Sequence, residues 1–432
     1  MHEPPAEHVY HRLVQPDPAA EQEFGGSGRV AAGGVRLIVA NALQNVGDQV
    51  VNAKTVLPWL FSVLGAPAAM VALLVPLRES GSMLPQAALA PRVAARPRRT
   101  RVWMLGAAVQ GVSTLGMAAA AVLLVGAPAG AAVLVALTCF ALGRALCSIA
   151  AKDVQGRSVP KGQRGQVTGT ATAISGVAAI AVGLGLHALG PSLSAGTLAA
   201  FLVGAALAWC VGIVVYAGIP EEPAADAQEH APWWRDTVDL LRGDRAFRSF
   251  VLARTLLLVS ALAPPFIVTL AVDAGGSVLA GLGSFVIAQG VASAVGGRVF
   301  GRLADRSSRL VMVLGSLVAS LAVLVVVLVV ALAPDGSVVL PVTLVGAYLV
   351  ISLVHVGVRV ARKTYVVDVA EGDQRTRYVA VSNTAMGLVL LVTGAVSAGL
   401  ALFGQLPALV FLAVLGLLGA AVSWRLPEVS KG

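Results

Sequence analysis

The chain has 432 residues, of which only 12% are charged, against roughly 25% in an ordinary soluble domain. A share of 57% hydrophobic residues argues against a water-soluble enzyme, and the 31 Lys+Arg, set against 22 Asp+Glu, lie between apolar runs rather than on one basic face. The net charge of +9 therefore points to a membrane surface and not to nucleic acid. Cys139, Cys147 and Cys210 sit inside apolar runs, which leaves neither a disulfide framework nor a zinc cluster.

Residues 1–34 hold Glu3, Glu7, Asp17, Glu21 and Glu23 with several prolines and no apolar stretch. They read as a disordered cytoplasmic tail and not as a signal peptide. From residue 35 onward there are twelve apolar runs, each long enough to span a bilayer, which takes about 20 residues. They lie near 36–61, 66–91, 102–126, 129–150, 167–189, 194–218, 248–272, 279–300, 310–333, 338–358, 378–403 and 406–424, and are called segments 1 to 12 below. The connections after odd-numbered segments contain no Lys or Arg. Those after even-numbered segments carry Arg92, Arg96, Arg98, Arg99 and Arg101; Lys152, Arg157, Lys161 and Arg164; Arg235, Arg242 and Arg245; Arg302, Arg306 and Arg309; and Arg359, Arg362, Lys363, Arg375 and Arg377. Positive charge marks the cytoplasmic side, so the even connections and both termini are expected there.

Segment 1 carries Asn41, Asn45, Asp48, Asn52 and Thr55 at steps of four, three, four and three, one helical stripe, with Lys54 beside it. Such a stripe cannot face lipid. At about 1.5 Å rise per residue, Asp48 and the Arg78-Glu79 pair of segment 2 reach the same depth, near the midplane. Pro76 and Pro85 bracket that pair and predict a kink or an unwound stretch. Two roles are open to these charges: permanent ion pairs that hold the bundle, or groups that exchange a proton or touch a solute. Further candidates are Arg144 in segment 4, Arg254 in segment 7, Gln289 in segment 8 (which a shift of 210 places opposite Glu79), His355 in segment 10 and Asn383 in segment 11. The deep cations Lys54, Arg78, Arg144 and Arg254 outnumber the two carboxylates, which favours an anionic solute. His187 is expected at the outer interface.

Glycines 169, 176, 183 and 190 in segment 5, and 387 and 394 in segment 11, recur every seven residues and leave a smooth strip for another helix. Residues 219–247 form the longest polar interval and divide the chain six and six; Trp233 and Trp234 within it are expected at the bilayer interface or capping a short linker helix. The halves repeat: a shift of 211 superposes Lys152 on Lys363, Gln163 on Gln374 and Arg164 on Arg375.

Gly301-Arg302-Leu303-Ala304-Asp305-Arg306-Ser307-Ser308-Arg309 resembles the G-x-L-A-D-R-x-G-R signature of the major facilitator superfamily, departing from it only at Ser308. A second, worn copy runs from Pro91 to Arg99, with Pro91 in place of glycine and Ala95 in place of aspartate. With twelve segments and a long central loop, the resemblance covers about residues 35–425. It implies an all-α membrane protein with twelve transmembrane helices in two pseudo-symmetric six-helix bundles, residues 35–218 and 248–425, flanked by a linker (219–247) and a tail (426–432). It also implies a midplane site opened to each side in turn, with segments 3, 6, 9 and 12 toward lipid. Gly301, Asp305, Arg306 and Arg309 would then form a cytoplasmic gate motif, Asp305 facing the N-terminus of a neighbouring helix, that of segment 5. The Gly-Pro pair that antiporter-type members carry inside segment 5 is missing, since Pro191 follows its end.

The expected function is a proton-coupled secondary active transporter of a small solute in the cytoplasmic membrane, monomeric and without cofactor or metal. The alternative is a protein of the same architecture that escorts or inserts a lipid or cofactor without coupled flux. No nucleotide-binding loop of G-x-x-x-x-G-K-[ST] type occurs in the sequence, so ATP is not expected to be the direct energy source, and clustered carboxylates for an intramembrane transferase are missing.

Overall fold

Seventeen helices follow one another in the computed structural model, which describes residues 5–15, 17–160, 163–190, 193–221, 242–243, 245–274, 281–334, 337–369 and 374–428. Segment 1 is split into α3 (Ser27–Val50) and α4 (Val56–Leu64), and segment 2 into α5 (Ala68–Met83) and α6 (Gln86–Ala94), while α1 (Pro5–Leu13) and α2 (Pro18–Glu23) precede them. Segments 3 to 6 are α7 (Arg99–Leu123), α8 (Gly126–Ser158), α9 (Arg164–Ala188) and α10 (Ala195–Ala217). Segment 7 is broken into α11 (Arg245–Leu256), α12 (Val259–Leu262) and α13 (Pro264–Asp273). Segments 8 and 9 run together as α14 (Leu282–Leu332), interrupted by the extended backbone of Ser307 (φ −164°, ψ 98°). Segments 10 to 12 are α15 (Val339–Val369), α16 (Gln374–Ala401) and α17 (Gln405–Trp424).

Among the described residues, 9 helices are long and apolar enough to cross a membrane, segments 3 to 7 and 9 to 12, and Leu282–Gly296 in segment 8 is a shorter apolar helix. Segments 1 and 2 fall short for a physical reason. The polar stripe and the turn at residues 51–55 interrupt segment 1, and segment 2 carries Arg78-Glu79 and breaks at Leu84-Pro85. The kink expected between Pro76 and Pro85 thus falls at the second proline; Pro76 sits inside α5, and Arg78 to Gly81 stay helical. The protein is a multi-pass membrane protein, and its apolar exposure follows suit, with Val112 on α7, Val214 on α10, Leu328 on α14 and Leu418 on α17 facing outward.

Within the first half α7 packs on α8 and α10, and α3 on α9 and α10; in the second, α14 packs on α15 and α17. Large aromatics lock these contacts. Trp103 stacks on Tyr216 with ring centroids 3.9 Å apart, and Trp209 meets Phe140 edge-on. Two seams join the halves, α9 against the first part of α14 and α5 against α16. Gly183 and Gly176 lie on the first seam and Gly387 and Gly394 on the second, where they meet Leu84 and Pro76; Gly169 has no neighbour within 4 Å. The partner helix adds glycines of its own. At Gly283 a Cβ would stand 2.4 Å from the His187 backbone nitrogen and 2.6 Å from the Gly183 carbonyl.

Residues 5–15 and 17–34 correct the disorder expected of the N-terminal tail, being largely helical. Tyr10 is fully buried and donates to Gln163 Oε1 at 2.9 Å, and Gln163 Nε2 donates in turn to Glu21 Oε1 at 2.7 Å. Burial, and the Glu21 carboxylate beside it, push the Tyr10 phenol above its usual range. Acid and proline content pointed to disorder, but it is the placing of one aromatic and one acid against the segment 4–5 connection that orders the stretch. Trp233 and Trp234 lie outside the described residues.

Replacing Gly283 by Ala should force α9 and α14 apart and lower stability by about 1–3 kcal/mol, the usual range for overpacking. Gly169→Ala should leave it unchanged. Thermal unfolding of the detergent-solubilised variants measures the difference.

Candidate functional site: a cationic cavity between the halves

A cavity of about 520 Å³ lies between the halves, inside the range typical of small-molecule sites. Its walls come from segments 1, 2, 4, 7, 10 and 11. Among the described residues, segments 3, 6, 9 and 12 contribute nothing to it.

The break in segment 1 delivers Lys54. Asn52 Oδ1 accepts the Lys54 backbone N–H at 2.8 Å, an Asx-type turn that stops α3 and leaves the Lys54 side chain lining the cavity. Segment 2 adds Glu79, one residue after Arg78. Arg78 bridges two acids, reaching Asp48 at 3.1 Å and Glu79 at 3.4 Å, and its guanidinium lies over the Phe140 ring. Asp48 also takes Arg144 from segment 4 at 2.9 Å. The expected meeting of Asp48, Arg78 and Glu79 at one depth is therefore a network, in which Asp48 is held by two guanidinium groups behind the wall and Glu79 lines the cavity.

Segment 4 carries Arg144, Ser148 and Lys152 four residues apart, and segment 10 carries His355, Arg359 and Arg362 at steps of four and three, so each set shares one helix face. His355 Nδ1 lies 3.3 Å from Ser260 Oγ. Arg254 on α11 donates to the Ser382 hydroxyl and, at 2.9 Å, to Asn383 Oδ1, joining segments 7 and 11. Asn45, Asn52 and Gln289 do not line the cavity; Gln289 accepts from Tyr348 at 3.2 Å and donates to Ser293.

Lining residues advance along segments 2, 4 and 10 toward the connections that carry the cations, so the cavity occupies that end of the bundle. At the opposite end α4 packs on α13, and Leu57, Trp59, Leu60, Phe266, Ile267 and Val268 are all buried. One end is open and the other sealed.

Arg359 and Arg362 correct the sequence reading, which assigned them to a cytoplasmic connection. α15 continues to Val369 and carries both into the cavity wall, as α8 does Lys152. Their spacing from His355 was the signal that could have placed them there.

At the rim, the side chains of Gly301, Arg302 and Asp305 lie outside the described residues. Arg306 is exposed, and Arg309 reaches Glu428 at 3.5 Å and the Leu426 carbonyl at 3.2 Å. The Ser307 hydroxyl donates to Glu428. A matching arrangement closes the first half. Glu221 accepts the backbone N–H groups of Arg99 at 2.7 Å and Thr100 at 2.9 Å, and the Thr100 hydroxyl at 2.7 Å. Thr100 and Ser307, like Glu221 and Glu428, are 207 residues apart. A carboxylate following each half's last helix thus reaches the start of that half's third, Glu221 by capping backbone N–H groups and Glu428 through the Ser307 hydroxyl and Arg309. Both acids follow a proline, Pro220 and Pro427.

No family model matches the chain, and no curated protein matches its sequence. Solved structures do match in shape. A POT family transporter in complex with a thioalcohol-conjugated peptide superposes with a TM-score of 0.71 at 11% identity, over 93% of this chain and 96% of that one. A D-xylose-proton symporter gives 0.70 at 13% identity, over 92% and 98%. The xylose transporter XylE from E. coli, in an inward-open conformation, gives 0.66 at 11% identity, over 92% and 97%. The chain has a major facilitator transporter fold.

Asp48→Asn should cost about 3–5 kcal/mol, because it strips Arg144 of its counter-charge and leaves Arg78 only the longer contact with Glu79. Glu79→Gln should cost far less, since Arg78 keeps Asp48. Thermal unfolding in detergent distinguishes the two.

Proposed function

We propose that this protein is a secondary active transporter that moves a small solute across the cytoplasmic membrane by alternating access, with the proton as coupling ion. The observation that carries the reading is the cavity itself. It lies on the seam between the halves, reaches Lys54 and Glu79 at its deep end, and is closed on the other side by α4 against α13. Neighbours of the same fold include a D-xylose-proton symporter. With the cation-rich connections and both termini in the cytoplasm, the cavity faces inward. The bundles 35–218 and 248–425 then rock about the two glycine seams, as a monomer.

Glu79 is the proton carrier. It faces the cavity, whereas both Asp48 oxygens are engaged by guanidinium groups. Asp48 serves to hold Arg78 and Arg144 in place. Gly301, Asp305, Arg306 and Arg309 form the inner gate; in the inward-facing form Arg309 rests on Glu428 of its own half and is free to change partner on closure.

In proteoliposomes with an imposed pH gradient and a dye reporting internal pH, a panel of solutes should reveal one that moves protons with it. Glu79→Gln should abolish the proton-linked signal while solute exchange across the membrane persists. Unchanged coupling in that variant would rule Glu79 out as carrier. Asp305→Ala should raise the rate at which an introduced cysteine at position 148 is labelled from the cytoplasmic side, and an unaltered rate would count against the gate.

A further inference from the structure

The cavity's charges do not balance. Among the described residues, its walls present Lys54, Arg144, Lys152, Arg254, Arg359 and Arg362 against one carboxylate, Glu79. Asp48 takes care of Arg144. Nothing comparable serves the cluster on segments 7 and 10. Arg254 has only the neutral Ser382 and Asn383 as partners, and its Nε has none. Arg362 is 8% exposed, and its Nη1 is buried without a partner. Among the described residues no acidic side chain forms an ion pair with Arg254, Arg359 or Arg362.

A guanidinium buried at a membrane cavity without a counter-ion, as Arg362 is and Arg254 is in part, is costly, and its planar fork of donors, like that of the more exposed Arg359, matches a carboxylate or a phosphate. Resting on the transport reading and deepening it, we propose that the solute is an oxyanion, bearing a carboxylate or a phosphate, seated on Arg254, Arg359 and Arg362 and reached from the opposite half by Lys54. Ser82, Ser148 and Asn383 supply neutral polar groups around the seat, and the apolar patches are limited to Met83, Ala261, Met386 and Leu390. Among the described residues no Phe, Tyr or Trp lines the cavity, so they supply no cage for an organic cation.

Glu79 acts as the built-in competitor for this seat. It is faced by Arg78 from its own segment, Lys54 from segment 1, Arg144 from segment 4, and Arg359 and Arg362 from segment 10. While ionised it occupies the field the solute needs; once it takes a proton those cations are left to the incoming anion. Proton and anion are thereby bound together. Filling the seat also removes the like-charge repulsion between Lys54 on one half and Arg359 and Arg362 on the other, the differential interaction that closure requires.

The test uses purified full-length protein in detergent, with isothermal titration and thermal unfolding at fixed pH. The probes are succinate, glycerol 3-phosphate and inorganic phosphate, with xylose as the neutral and choline as the cationic control. An oxyanion should bind, and succinate against the two phosphates tells which headgroup the seat prefers. Arg359→Gln and Arg362→Gln should each weaken binding at least about tenfold, or about 1.4 kcal/mol. Glu79→Gln should tighten it by a similar factor, and Arg12→Gln, on the exposed face of α1, should leave it unchanged. Because Arg359 is itself exposed, its variant keeps the test meaningful should Arg362→Gln fold poorly. Binding of xylose or choline with no oxyanion bound would overturn the proposal. So would wild-type affinity in both arginine variants, or weaker binding in Glu79→Gln. Oxyanion binding with these dependencies but no flux in proteoliposomes would sink the transport reading and leave the seat standing; flux of a neutral solute alone would do the reverse.

Discussion

Charge placed in a low-dielectric membrane interior has to be paired, hydrated or used, and this one constraint organises the molecule. Asp48 is the point where it is met by pairing. Two guanidinium groups from segments 2 and 4 converge on its two oxygens, so segments 1, 2 and 4 are held together at mid-depth by contacts that apolar packing alone would not make directional. Arg144 lies within the same helix stripe as Ser148 and Lys152, and fixing Arg144 fixes which face of α8 is turned to water. The cavity exists where that fixed face meets the corresponding face of α15. Glu79 differs from Asp48 by a single contact, having Arg78 only at 3.4 Å, and it is that looseness which leaves it exposed to the cavity.

Much of this was legible in the sequence. The alternation of cation-rich and cation-free connections gave the order of the segments, because the energetics of inserting Lys and Arg act on short loops and leave their mark in primary structure. The stripe on segment 1 and the depth match between Asp48 and Arg78-Glu79 follow from helix geometry alone. What could not be read was partner choice. Nothing in the spacing says that Asp48 binds Arg144 as well as Arg78, since that depends on how α3, α5 and α8 cross. Helix length was the other blind spot. Arg359 and Arg362 look like loop cations because a run of apolar residues ends before them, yet α15 continues through them as an amphipathic helix whose polar side faces the cavity. The N-terminal stretch failed for a related reason: composition describes an average, whereas Tyr10, Gln163 and Glu21 form one specific buried chain of hydrogen bonds.

The breaks in the helices follow the same logic. Segments 1 and 7 are each interrupted, near residues 51–55 and 257–258, and Lys54 within the first break and Ala261 just past the second both line the cavity. Backbone freed from its helical partners is tolerated at membrane depth when protein or water surrounds it. Asn52 satisfies one such group through the Lys54 N–H. The two halves therefore share the device, and only the first equips it with a charge.

The carboxylate ties at Glu221 and Glu428 carry a mechanical consequence. Each fastens the last helix of a bundle to the beginning of its third, at the edge where the connecting chain leaves. A pull arriving through the stretch between the halves reaches α10, and from there α7, before it can peel any single helix away. Load is spread over a block of helices, and the two glycine-lined seams between the halves lie outside that block.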